Sequence, residues 1–193
     1  MKKDQKILLS CGVVLATLLS LCDLYAVSHP CPVNADIWVM GGQSNMSGCG
    51  RFQEQLPIDA NILMFNMDNT WQPAQEPLHR IYDSNHPAIK NFFIKVHQGS
   101  ESSFLNNREK LKQNPHNAFV LGVGTGVFFA KHLRKYINRP IALIPCAYGG
   151  TFMKDWNPAI RHDVNNSLYN YMLSRINMTG GNIKGVLWSQ GEG

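Results

Sequence analysis

The residues best suited to chemistry sit where an apolar run ends in glycines. Ala35-Asp36-Ile37-Trp38-Val39-Met40 runs into Gly41-Gly42-Gln43-Ser44-Asn45-Met46. Glycines at that point let the backbone turn sharply, so the Ser44 hydroxyl can stand clear of the strand. A hydroxyl is a weak nucleophile until a base takes its proton. The main-chain N–H of Ser44, at the start of a helix, can help hold an oxyanion. Taken alone, Gly-Gln-Ser-Asn also suits an ordinary turn with a helix cap. Two further polar loops follow apolar runs in the same way, Gly149-Gly150-Thr151 and Ser189-Gln190-Gly191-Glu192-Gly193.

The elements that must position these loops can be read from hydrophobic periodicity. Strands are predicted over 35–40, 61–65, 141–144 and 183–188. A turn is predicted at Asp68-Asn69, before Trp71. A helix follows Gly122-Val123-Gly124-Thr125-Gly126, with Phe129, Leu133, Tyr136 and Ile137 on one face. A second helix fits 167–176, with Leu168, Met172 and Ile176 on one stripe and Asn165 or Asn166 as N-cap. Residues 97–117 are polar and read as a surface excursion with a short helix around 107–113. Strands that alternate with helices and are continuously apolar argue for an α/β fold, a parallel sheet covered on both faces. In such sheets the functional crevice lies beyond the carboxyl ends of the strands. That is where the three polar loops fall.

Together these segments resemble the sequence blocks of SGNH-type hydrolases, in particular the carbohydrate acetylesterases that include sialate O-acetylesterase-like proteins. The stretch Asp36–Met46 resembles the first block. Trp71 with Glu76-Pro77-Leu78-His79 resembles a second segment, and the glycine block 122–126 a third, with Thr125 where Pro is more usual. Residues 141–151 and Gly185-Val186-Leu187-Trp188-Ser189-Gln190-Gly191-Glu192 resemble the remaining two. The resemblance implies a flavodoxin-like three-layer sandwich, the SGNH hydrolase fold, here without its last strand and C-terminal helix. It implies a serine esterase that removes acetyl groups from sialic acid or xylan-type carbohydrate esters. Ser44 would attack the acetyl carbonyl. The oxyanion would be held by the Ser44 N–H, by a glycine N–H and by the Gln190 side chain, with Asn45 beside them at the substrate. Gly124 and Gly126 both fit the glycine, and Gly126, at the helix start, is preferred. Glu192 would line the site and orient the base, or position substrate.

The pattern departs from the family at the base. Its histidine belongs to an Asp-x-x-His segment after a further strand, and this chain reaches Gly193 directly after the Gln-Gly-Glu block. Asp83-Ser84-Asn85-His86 has the spacing but the wrong place in the topology, and it reads as a surface turn. His79 reads as a residue that shapes the pocket. The expectation is therefore an N-terminal part of an esterase, poorly soluble or inactive when expressed alone. The competing expectation is a non-catalytic carbohydrate-binding relative, with Trp38, Trp71, Trp156 and Trp188 as candidate stacking faces.

Composition excludes several classes. With 44% hydrophobic and 16% charged residues among 193, disorder is excluded. A net charge of +5, with no basic block outside the N-terminus, gives no case for nucleic acid. Lys2, Lys3 and Lys6 precede an apolar run over 7–21, then Ala26-Val27-Ser28, the layout of a secretory signal peptide. The reading is a signal over 1–28 and one domain over 29–193, secreted or periplasmic, without stable membrane insertion after cleavage. Cys31, Cys49 and Cys146 then remain, an odd set that allows one disulfide and in which the thiols chiefly pack. No zinc spacing occurs, and serine acyl transfer calls for no metal or organic cofactor.

Overall fold

The predicted strands form one sheet in the computed structural model, which describes residues 29–51, 56–113 and 122–191. The segment read as a signal, and Glu192, lie outside the described residues. Strands β1 (Asp36–Gly42), β2 (Ile62–Phe65), β4 (Ile141–Pro145) and β5 (Asn182–Ser189) run parallel. The order across the sheet is β3-β2-β4-β1-β5. The edge strand β3 (Trp71–Pro73) is antiparallel to β2, joined to it through the Asp68-Asn69 turn, so the sheet is mixed at that edge rather than wholly parallel. Three residues, Trp71 and Gln72 half-buried and Pro73 exposed, carry no apolar run, which is why β3 has no sequence signature.

Side-chain alternation builds two cores. On one face Ile37, Val39, Phe65, Ala142 and Ile144 meet Phe92, Phe93, Leu168 and Met172. These come from α2 (Pro87–His97) and α5 (Leu168–Thr179), while α3 (Glu101–Gln113) adds Phe104 to the same cluster. On the other face Met40, Ile62, Met64, Ile141 and Leu143 meet Val127 and Ala130 of α4 (Gly126–Leu133). The result is the expected three-layer α/β arrangement. Among the described residues no helix is long and apolar enough to cross a membrane.

Several local expectations change. Helix α2 was not foreseen, although Pro87 at N1 and His86 as N-cap mark its start. The Asp83–His86 segment is consequently half-buried capping structure rather than surface turn. Asp83 pairs with Arg80 at 2.6 Å, and the His86 ring packs on Tyr171 with centroids 4.9 Å apart. The polar excursion is mostly helix, because α3 spans 13 residues. Ser167, not Asn165 or Asn166, caps α5 and accepts from the Asn170 amide at 3.0 Å. Asn166 is held instead by Asp163. Helix α4 ends at Leu133, which leaves Tyr136 beyond it and 73% exposed.

Candidate active site

Three strand ends meet at one place. Gly42 of β1 lies opposite Ser189 of β5, and the next amide, Gln43 N, donates to Ser189 O at 2.8 Å. On the other side Cys146 N donates to Met40 O at 2.8 Å and Tyr148 N to Gly42 O at 3.0 Å. Gly42 has φ +119°, and a Cβ there would sit 1.9 Å from Ser189 O, so glycine is required by both conformation and space. The second glycine of the first block thus has a physical reason.

Ser44 opens the short helix α1 (Ser44–Ser47) immediately after that turn. It is half-buried, while Asn45 is exposed. The turn uses the amides of Gln43, Met46, Ser47 and Gly48 for main-chain bonds, and that of Ser44 is not among them. The Ser44 carbonyl accepts from Gly48 N at 2.9 Å, Ser47 Oγ at 3.2 Å and Cys49 Sγ at 3.2 Å. These bonds fix the turn from its far side. Gly149, after β4, packs against Ser44: a Cβ on it would lie 3.6 Å from both Ser44 Cα and Cβ. A side chain longer than alanine there would crowd the hydroxyl.

Gln190 follows β5 and ties two loops together. Its Nε2 donates to Thr151 O at 2.8 Å, and its Oε1 is buried without a partner among the described residues. Ser44, Gln190 and the Gly149–Thr151 turn are thus brought together at the carboxyl ends of the strands. Glu192 lies outside the described residues.

The glycine block stands behind the turn. Gly122 N donates to Gly48 O at 3.2 Å, and Gly50 and Val123 exchange bonds of 3.0 and 2.9 Å. A Cβ on Gly48 would lie 2.4 Å from Gly122 O. Glycines at 48 and 122 therefore permit two backbones to touch. Gly126 begins α4 and packs on Met40 and Leu78, with an added Cβ 2.5 Å from Leu78 Cδ1. Gly124 lies against Met46 O and Gly48, and its amide faces the Glu76 carboxylate.

The Glu76-Pro77-Leu78-His79 segment is buried support. Glu76 Oε2 accepts from Leu78 N at 3.2 Å, and burial raises its pKa although amides of Gly124, Leu78 and Val127 work the other way. His79 is 1% exposed. Burial, reinforced by the Arg175 cation, pushes its pKa down to about 3, against the carbonyls of Met40 and Ser47. It is a neutral ring locked behind α1. The remaining imidazoles among the described residues have other places. His86 caps α2, while His29, His97, His132 and His162 are exposed.

Cys31, Cys49 and Cys146 are free thiols. Cys146 is fully buried, which pushes its pKa up to about 11. What residue patterns alone missed is the stretch after Thr151, where Phe152 and Met153 are exposed; a bulky apolar pair directly after Gly-Gly-Thr was the available signal.

Known proteins similar to this chain include carbohydrate esterases. The family described as carbohydrate esterase, sialic acid-specific acetylesterase matches residues 34–193. A probable carbohydrate esterase of Arabidopsis thaliana is 29% identical over 187 residues, which are 86% of this chain and 56% of the relative. The crystal structure of an Arabidopsis thaliana protein superposes with a TM-score of 0.55 at 29% identity, over 83% of this chain and 58% of that one. A carbohydrate acetylesterase from Xanthomonas citri gives a TM-score of 0.42 at 21% identity, over 81% of this chain and 32% of that one. The chain thus spans somewhat more than half the length of the Arabidopsis relative.

Proposed function

We propose that this chain, which belongs to the family of carbohydrate esterases described as sialic acid-specific acetylesterases, cleaves acetyl esters of a carbohydrate through Ser44. The observation that carries the reading is the meeting of the Ser44 turn, the Gly149–Thr151 turn and Gln190 at the carboxyl ends of β1, β4 and β5. In the proposed reaction Ser44 Oγ forms a bond to the acetyl carbonyl carbon, and the carbonyl π pair moves onto oxygen. Collapse of that oxyanion breaks the bond to the sugar oxygen, which takes the proton lost by Ser44. Water then releases acetate from the serine by the same two steps.

The donors best supported for the oxyanion are the Ser44 N–H and the second hydrogen of Gln190 Nε2. Gly126 has less support, because it is packed on Met40 and Leu78 behind the turn. Gly124 is no better placed, because its amide faces Glu76. Asn45, exposed beside Ser44, is proposed to face the substrate. The base is proposed to lie outside the described residues, with Glu192 orienting it. Without a base, an oxyanion hole retains a small fraction of the rate.

Fluorophosphonate labelling of wild type against Ser44→Ala tests the nucleophile. Labelling is expected in wild type and lost in the variant; equal labelling removes Ser44 from the mechanism. Acetate release from an O-acetylated sialoside and from acetylated xylo-oligosaccharides tests the reaction. A second reading, a carbohydrate binder without catalysis, is favoured by the lack of an imidazole beside Ser44 among the described residues. Sugar binding with no labelling would select it. We further propose that residues 1–28 direct export. N-terminal sequencing of the exported protein is expected to start near His29, and a start at Met1 would refute it.

A further inference from the structure

A circuit of hydrogen bonds starts and ends at the residues that lead into Ser44. Tyr148 N donates to Gly42 O at 3.0 Å, and Thr151 Oγ1 donates to Tyr148 O at 2.8 Å. Thr151 O accepts from Gln190 Nε2 at 2.8 Å. Ser189 O, one residue before Gln190, accepts from Gln43 N at 2.8 Å and closes the circuit. Thr151 takes part twice, by its hydroxyl and by its carbonyl.

The Thr151 hydroxyl is fully committed. Besides donating to Tyr148 O, it accepts from Trp156 Nε1 at 3.3 Å. Thr151 is 2% exposed and Trp156 3%, so water competes for neither bond. Trp156 lies edge-on against Trp188 with centroids 5.0 Å apart, and Trp188 leads into Ser189 and Gln190. The turn from Tyr148 to Thr151 passes through Gly150 at φ +72°, where an added Cβ would meet Val96 Cγ1 at 2.8 Å. A side chain at that point is excluded by both conformation and space.

This anchoring fixes an amide. A carbonyl accepts and cannot donate, so Thr151 O admits only the Nε2 end of Gln190. With the amide turned over, Oε1 would face Thr151 O, two acceptors with no proton between them. One Nε2 hydrogen goes to Thr151, which sets the direction of the other. Gln190 Oε1 is buried with no partner among the described residues, so no bond at that end holds the amide instead.

We propose that Thr151 is a positioning residue for the ester cleavage: its carbonyl, anchored by the bonds to Tyr148 and Trp156, holds Gln190 with the second Nε2 hydrogen turned to the oxyanion. This rests on the reading of Ser44 as nucleophile and Gln190 as oxyanion donor. A group misplaced by about 1 Å costs up to about a hundredfold in rate. A hydroxyl that touches no substrate can therefore set the rate.

The test uses the 193-residue chain and the rate constant of fluorophosphonate labelling, because the phosphonyl oxygen takes the place of the oxyanion. Rates are taken per folded protein. Thr151→Val keeps the branched shape and removes the hydroxyl, and labelling is expected to slow by about tenfold. Thr151→Ser is expected to restore it to within about twofold. Trp156→Phe, which removes the indole N–H and keeps a ring, is expected to slow it by about threefold, and it carries the test where Thr151→Val does not fold. On a Gln190→Ala background neither substitution is expected to slow labelling further. An unchanged rate in Thr151→Val overturns the proposal, and so does a failure of Thr151→Ser to rescue. Full slowing on the Gln190→Ala background overturns it too, by showing that Thr151 does not act through Gln190. The Gln190 side-chain amide protons, assigned in NMR spectra by difference against Gln190→Ala, supply a readout without chemistry. One of them is expected to exchange with solvent about tenfold faster in Thr151→Val than in wild type. Equal exchange overturns the proposal. A wild-type chain that does not label strikes the Ser44 reading, and amide exchange then decides by itself whether Thr151 holds Gln190.

Discussion

His79 couples the candidate site to pH through burial. Its folded pKa of about 3 lies below the ordinary value of 6.5. Between those values the unfolded chain binds a proton that the native chain refuses. Its contribution to stability is therefore full above about pH 6.5 and is lost as pH falls towards about 3, at up to about 1.4 kcal/mol per pH unit. Glu76 acts in the opposite sense. Its raised pKa lets the native state keep a proton that the unfolded chain releases just above 4.5, which favours the fold on acidification. The two partly cancel, so the test is a difference. Denaturant unfolding at pH 7 and pH 4.5 is expected to show a smaller acid loss in His79→Leu than in wild type; an unchanged difference would remove His79 from the account. Ser44 and Gln190 were legible in sequence because glycines and strand ends mark them locally. His79 was legible as a pocket-shaping residue, but its burial with Glu76 behind the turn was not, because such burial depends on residues far apart in the chain.

Elements show the same division. Strands β1 and β4 were readable from continuous apolar runs, since both of their faces are covered, and β5 from its apolar residues although several of them are exposed. Helix α2 was missed because Asp83–His86 drew attention as a catalytic spacing, although Ala88, Ile89, Phe92 and Phe93 all lie on its buried side. Helix α4 carries the open question of Gly126. Its hydrogen site is filled on three sides by Leu78 and Met40, with contacts of 2.5 to 2.8 Å from an added Cβ. Those are side-chain ends, which can shift at a cost. Gly126→Ala is therefore expected to destabilise by about 1–3 kcal/mol through overpacking. Alanine keeps the N–H, so the fraction of folded protein that labels with fluorophosphonate should be unchanged. Loss of labelling in fully folded Gly126→Ala would return this residue to the site. Asp155 makes the complementary case on the loop after β4. Asp155→Ala removes the carboxylate that holds Phe152 N and Lys95, and a loss of about 1–3 kcal/mol is expected by thermal or denaturant unfolding.

At the scale of the molecule the sheet is unequal at its two edges. The β3 edge is short, antiparallel and ends in Pro73, a form that resists further pairing. The β5 edge is eight residues long, and among the described residues β5 pairs with β1 alone. Ile183, Val186 and Trp188 on β5 are 37%, 50% and 42% exposed, and Phe128 of α4 is 50% exposed. Long, apolar, unpaired strands template contact with other chains. Gly185 adds no protection, because its missing side chain makes room for Trp38, 2.9 Å from an added Cβ. The register slip at Ile37/Trp38 kinks the start of β5 and leaves the Val186–Ser189 half in regular pairing with β1. The regular half is therefore the part free to recruit another strand. The 193-residue chain is expected to associate as its concentration rises, with Val186→Lys shifting it towards monomer by placing a charge at the start of that half. Sedimentation velocity over a hundredfold range of concentration reads this directly. A wild-type chain that stays monomeric throughout, or a Val186→Lys chain that associates equally, would show that β5 is not the surface responsible.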